Sequence, residues 1–144
     1  MNKKKAIQIL AIFSCIALII SCFIPWVHYI SINETFTGFN VKPFSTKVNY
    51  GKAGKIIVIL TSISLVCTVL PVLFLKRVNM FATALLFAYC IRTYVLFTGS
   101  IFDGQVEKLA GIYLIILLSL VLVVCSVFPN LEEDRFYRKT GVQN

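Results

Sequence analysis

Acidic residues are scarce in this chain: six Asp and Glu stand against fourteen Lys and Arg, and none of the six lies in a hydrophobic run. Transport coupled to protons or cations normally uses an acid inside the membrane, so a proton-coupled exporter is excluded. Histidine occurs once, at His28. Zinc sites and hydrolytic triads need several His, Cys, Asp or Glu at workable spacing, which excludes a metal centre and a catalytic set. The five cysteines (Cys15, Cys22, Cys67, Cys90, Cys125) form no CxxC and all fall in apolar runs, so neither a disulfide framework nor a thiolate zinc site is encoded. They read as small apolar packing residues. No cofactor-binding motif is present either. Gly51-Lys52-Ala53-Gly54-Lys55 lacks the spacing of a phosphate loop and reads as a basic lead-in to the next apolar run.

Charge itself is scarce, at 14% of residues against roughly 25% in ordinary soluble domains. Apolar residues make up 58%, and the mean hydropathy is +0.87. A soluble protein of 144 residues leaves too much surface exposed to hide that much apolar area. Lipid is the solvent that fits. Four runs, 6–27, 56–75, 80–98 and 109–128, are each near the twenty residues that cross a hydrocarbon core. The expected fold is therefore an all-α membrane protein, a four-transmembrane-helix antiparallel bundle forming one membrane domain over 1–144.

Orientation follows from the basic residues near the run ends. Lys3, Lys4, Lys5, Lys76, Arg77, Arg135, Arg138 and Lys139 lie on one side, and Lys42, Lys47, Lys52, Lys55 and Lys108 on the other. Both termini are expected in the cytoplasm, in a bacterial inner membrane. The net charge of +8 is scattered over short polar segments, which points to anionic headgroups and excludes nucleic acid. The stretch ending Ile19-Ile20-Ser21-Cys22 has the form of a lipoprotein cleavage box. The apolar run continues past it through Phe23, Ile24, Trp26 and Val27, which favours a span.

The outer loop 28–55 is expected to be partly β-like. Tyr29-Ile30-Ser31-Ile32 and Phe39-Asn40-Val41 have strand content, with turn signals at Asn33 and Gly38. Connections 76–79 and 99–108 are short, so successive helices should be antiparallel neighbours. Pro71 predicts a bend near the end of the second run. Trp26, Tyr29, Tyr50, Tyr94 and Tyr113 fall near the outer interface, where amphipathic rings settle. Small residues mark packing faces: Ala11, Ser14, Cys15, Leu18, Ser21 and Cys22 in the first run, and Thr61, Ser64, Cys67, Thr68 and Pro71 in the second. Ala84 and Ala88 do the same in the third. The tail 129–144 reads as a juxtamembrane helical turn.

Arg92 is the sole charge within a run. Its spacing from Ala84 and Ala88 predicts a position facing packed protein, where it either meets an anionic ligand or partner subunit or, on the simpler reading, snorkels to the outer interface with Asp103, Glu107 or Glu34 as counter-ion. Arg92, Asp103, Glu107, Trp26 and His28 are the candidate contacts for a ligand or partner. Two functions are expected from this pattern. One is a non-enzymatic accessory or assembly subunit, with other membrane protein subunits and the lipid bilayer as partners. The other is a membrane protein that binds a lipid or small anionic ligand near Arg92.

Pro25-Trp26 at the end of the first run, Gly38-Phe39 in the outer loop and Gly111-Ile112-Tyr113 opening the fourth resemble small four-span bacterial membrane proteins. The layout is similar to that of claudins, with inside termini and a long first outer loop. The claudin signature has Gly-Leu-Trp and two loop cysteines, where this chain has Thr37-Gly38-Phe39 and none. The resemblance implies a layout, not a barrier or pore activity. The quinone-linked disulfide-forming enzymes also have four spans, but they need exterior cysteine pairs.

Overall fold

The structure is a computed structural model that describes residues 3–30, 33–40, 53–70, 73–99 and 106–140. Helix α1 is Lys3–Ser21, α2 is Ala53–Val69, α3 is Leu73–Thr98 and α4 is Ala110–Thr140. Three short strands accompany them: β1, Val27–Tyr29; β2, Glu34–Phe36; and β3, Val106–Lys108. Each apolar run has thus become a helix. The helices pack as a ring, in which α1 and α3 each contact both α2 and α4. Two of them, over Phe74–Thr98 and Ala110–Phe128, are long and apolar enough to cross a membrane. The apolar parts of the others, Lys5–Ser21 and Ala53–Val69, are shorter.

The boundaries differ from those predicted, for local reasons. α1 stops at Ser21, six residues before the expected end of the first run. Cys22 N–H and Phe23 N–H bond three residues back to Ile19 and Ile20, a tightening that closes a helix ahead of Pro25. Trp26 and Val27 are therefore sheet-end residues and not helical ones. α2 likewise stops at Val69, just before Pro71, and α3 starts at Leu73. The chain breaks there and not at the charged pair Lys76-Arg77. Pro71, where a bend was expected, lies outside the described residues, between the end of α2 and the start of α3. Lys76, Arg77 and Asn79 consequently lie inside α3.

The sheet has the order β2-β1-β3 and is antiparallel throughout. Its hairpin was expected, though one turn later in the chain. Asn33, at φ 50°, makes the turn that the sequence signalled, and Asn is among the few side chains that tolerate that conformation. β3 comes from the segment expected to be a plain connector. Backbone bonds stitch the sheet to three helices: Gly38 N–H to Cys22 C=O, Gly54 N–H to Gly38 C=O, Leu109 N–H to Trp26 C=O and Gly111 N–H to Pro25 C=O. These approaches need glycine. A Cβ on Gly54 would lie 2.6 Å from the Gly38 carbonyl oxygen, and one on Gly111 would lie 2.5 Å from that of Pro25. Trp26 is fully buried beneath this cap, edge-on to Phe97, and its indole N–H donates to Ser21 C=O.

Polarity in the helical ring is inverted relative to a water-soluble protein. Phe13, Phe74, Phe81 and Leu85 are all more than 60% exposed, whereas Ser14, Thr61, Ser64, Thr83, Thr93 and Ser119 are buried. Some of the buried hydroxyls are satisfied within their own helix and others across helices. Thr61, Thr93 and Ser119 donate to carbonyls of their own helices, as hydroxyls in apolar helices do. Among the described residues, no buried side-chain nitrogen or oxygen lacks a partner.

Candidate functional site

Of the predicted contact residues, Trp26, His28 and Glu107 lie at the sheet end. His28, central on β1, faces Thr35 on β2 and Glu107 on β3 across the ladder. Its Nδ1 lies 3.0 Å from Thr35 Oγ1, and Glu107 is exposed. Together they form a polar face turned away from Val27 and Phe36, which are buried. Asp103 lies outside the described residues.

Arg92 is exposed on α3, and so are Ala84 and Ala88. The small-residue stripe therefore faces outward, contrary to the expectation that it packs against protein. Packing on this helix falls instead to Ala82, Thr83, Leu86, Cys90, Thr93 and Phe97. The guanidinium sits 5.9 Å from the Tyr89 ring centroid. Among the described residues, no carboxylate pairs with Arg92. The face expected to build a ligand site near Arg92 is thus exposed.

The concave site lies at the other end of the ring. A cavity of about 250 Å³ is bounded by all four helices. Ser64, Cys67 and Thr68 of α2, Leu70 just beyond it, and Lys76 and Asn79 of α3 form one wall. Ile7, Gln8 and Ala11 of α1 and Leu122, Cys125 and Ser126 of α4 form the other. The first wall carries Ser64, Thr68, Lys76 and Asn79, and the second is mostly apolar, with Gln8 and Ser126 as its polar side chains. Gln8 and Leu70 are exposed and Lys76 is half-buried, so the cavity reaches the surface at the ends of the helices.

Asn79 organises the polar wall. Its Oδ1 accepts from the Ser64 hydroxyl at 2.7 Å, and its Nδ2 donates to Thr68 Oγ1 at 3.2 Å. Thr68 in turn donates to Ser64 C=O, and Gln8 Nε2 donates to Thr68 C=O at 3.1 Å. A second strand of the network runs behind it: Thr83 Oγ1 lies 2.9 Å from both Asn79 C=O and Ser126 Oγ. Three helices are thereby joined through side chains on α2, α3 and α4, and α1 adds the Gln8 contact. A carboxamide offers two N–H donors and an oxygen with two lone pairs. These contacts engage one N–H and one lone pair, so Asn79 keeps bonding capacity at the cavity wall.

Volume sets what the cavity can hold. A dry engineered cavity of about 150 Å³ takes a benzene ring. This one is larger and two-natured, with room for a polar head and a short run of methylenes. Sequence reading identified Ser64, Cys67 and Thr68 as one face of the second run, and two of them are buried with the third partly so. It missed Asn79 and Lys76 by placing them in a connector. The signal that could have found them was Pro71 in the sequence, since proline is a common helix boundary and it falls between Val69 and Leu73.

No family model matches the chain, and neither does any curated protein or solved structure.

Proposed function

We propose that this chain is a non-enzymatic membrane protein that crosses the bilayer four times and binds a small amphiphilic molecule in the cavity between its helices. The observation carrying this reading is the cavity itself, with an Asn79-centred polar wall facing an apolar wall of Ile7, Ala11 and Leu122. The four-span reading is supported by the exposed apolar side chains on all four helices and by the buried hydroxyls within. α1 and α2 pack along α3 and α4, so they share the same depth. The distribution of Lys and Arg favours cytoplasmic termini in a bacterial inner membrane. On that orientation the sheet is exterior and the cavity opens towards the inner leaflet. The single histidine and the lack of acids in the runs argue against chemistry on the ligand.

Protein purified in mild detergent should release a bound compound on organic extraction, identified by mass spectrometry. Ala11→Leu fills the cavity and should abolish that compound while preserving the fold. Recovery of the same compound from Ala11→Leu would refute binding in the cavity.

A second reading, an accessory or assembly subunit, is favoured by the sheet. Its outward face of His28, Thr35 and Glu107 is polar, and backbone bonds anchor the sheet to the helices. Thr35→Arg together with Glu107→Arg should release a partner bound there without shifting the melting point. Unchanged co-purification would count against a sheet-face contact.

A further inference from the structure

We infer that the outward face of α3 docks a transmembrane helix of a different protein, one carrying an Asp or Glu at the depth of Arg92. This rests on the four-span reading above and gives the assembly-subunit reading a second contact, independent of the sheet. Arg92 is exposed, six residues before the end of α3 at Thr98. With the exposed Arg77 at the inner headgroups, the roughly twenty residues that cross the hydrocarbon reach about Phe97, so Arg92 lies within the span. Its guanidinium sits 5.9 Å from the ring of Tyr89, one turn towards the middle of the helix. Helical side chains lean that way, towards the N-terminus, which here is away from the interface at the Thr98 end. A guanidinium keeps its proton, and its charge is costly in hydrocarbon unless an opposite one meets it. Among the described residues no carboxylate does. A second copy of this chain could not supply one at that depth, because its six acids all lie outside the hydrophobic runs. The charge therefore calls for a carboxylate on another protein's helix. The surface around it suits one. Phe81, Leu85, Ala88, Arg92 and Val95 are exposed at alternating spacings of four and three, the seam along which two helices pack side by side. Ala88, at the middle of that seam, lets a second backbone approach. A phospholipid phosphate lies at the interface, from which the guanidinium leans away.

Synthetic single-span peptides of Leu and Ala serve as probes, identical except at one position about six residues from one end, which holds Glu, Leu or Arg. Donor-labelled full-length protein is reconstituted in phosphatidylcholine vesicles, and energy transfer to acceptor-labelled peptide is followed as the peptide-to-lipid ratio rises. The Glu peptide should reach half-maximal transfer at a ratio at least about tenfold below the Leu peptide, the scale of one strong polar contact between membrane helices. Arg92→Leu should erase that preference, and Arg92→Glu should pass it to the Arg peptide. Lys108→Gln, which alters an exposed charge outside α3, should keep it. Equal transfer to the Glu and Leu peptides, or a Glu preference that survives Arg92→Leu, would overturn the proposal and leave the four-span reading standing. Loss of the preference when phosphatidylglycerol is added to the vesicles would assign Arg92 to a lipid phosphate and overturn it as well. Failure of the protein to span the vesicle bilayer would overturn both the proposal and the four-span reading.

Discussion

At the scale of single residues, Asn79 and Gly111 mark the two ends of the molecule and make opposite demands. Asn79 is retained for what it bonds. Asn79→Ala removes the acceptor of Ser64 and the donor to Thr68. Such interhelical bonds contribute about 0.6 kcal/mol on average and up to about 1.7 kcal/mol in membrane proteins. A destabilisation in that range is expected by thermal melting in detergent. Ser64→Ala combined with Asn79→Ala should cost less than the sum of the two, since both remove one contact. Gly111 is retained for what it lacks. Its Cβ would meet Pro25 C=O and Trp26 Cδ1, and Trp26 is enclosed. Gly111→Ala should cost about 1–3 kcal/mol through overpacking, visible as a lower melting temperature. Arg92 makes neither demand. On an exposed face with no carboxylate bonded to it among the described residues, Arg92→Leu should change stability by less than about 0.5 kcal/mol. A large loss on that substitution would show that Arg92 serves this chain's own fold and would count against the partner helix.

At the scale of elements, helices were legible in the sequence and strands only in part. Apolar runs of some twenty residues have one stable form away from water, the helix, because it satisfies its own backbone groups. The hairpin turn was legible because Asn33 is a side chain suited to positive φ. β3 was not, since Val106-Glu107-Lys108 carries one apolar residue and its pairing partner lies in another loop. Local propensity contains no trace of a partner so distant. The same limit hid the candidate site. Its residues come from four helices, and Asn79 became a core residue only once the break moved to the stretch between Val69 and Leu73. Strand register is open to direct measurement. His28 and Glu107 are paired, at a separation that suits a disulfide. In a cysteine-free background, His28→Cys with Glu107→Cys should cross-link under mild oxidation, and His28→Cys with Val106→Cys should not. Cross-linking of the second pair alone would shift β3 by one residue and reverse which of its side chains face the helices.

At the scale of the whole molecule, the reading depends on which solvent surrounds the helices. In water, the exposed Phe13, Phe74 and Phe81 would form the contiguous apolar patches that drive aggregation. In lipid they are solvated, and the buried hydroxyls become the contacts that hold helices together. Topology tests this directly. Single cysteines at Ser45 and at Thr140, each in a cysteine-free background, should react with an impermeant maleimide from opposite sides of the membrane. Reaction from the same side would exclude an odd number of crossings between them and with it the four-span arrangement.

The strand order also dictates a sequence of events during synthesis. β1, the middle strand, follows directly on α1, and its hairpin partner β2 emerges soon after. Its other edge must wait for β3, which leaves the ribosome only after α2 and α3. Until then one side of β1, and the place where Gly111 meets Pro25, stay open. Closure of the cap is thus a late step that reports arrival of the last helix, and a chain truncated before β3 would display an unpaired strand edge to any quality-control factor that recognises one.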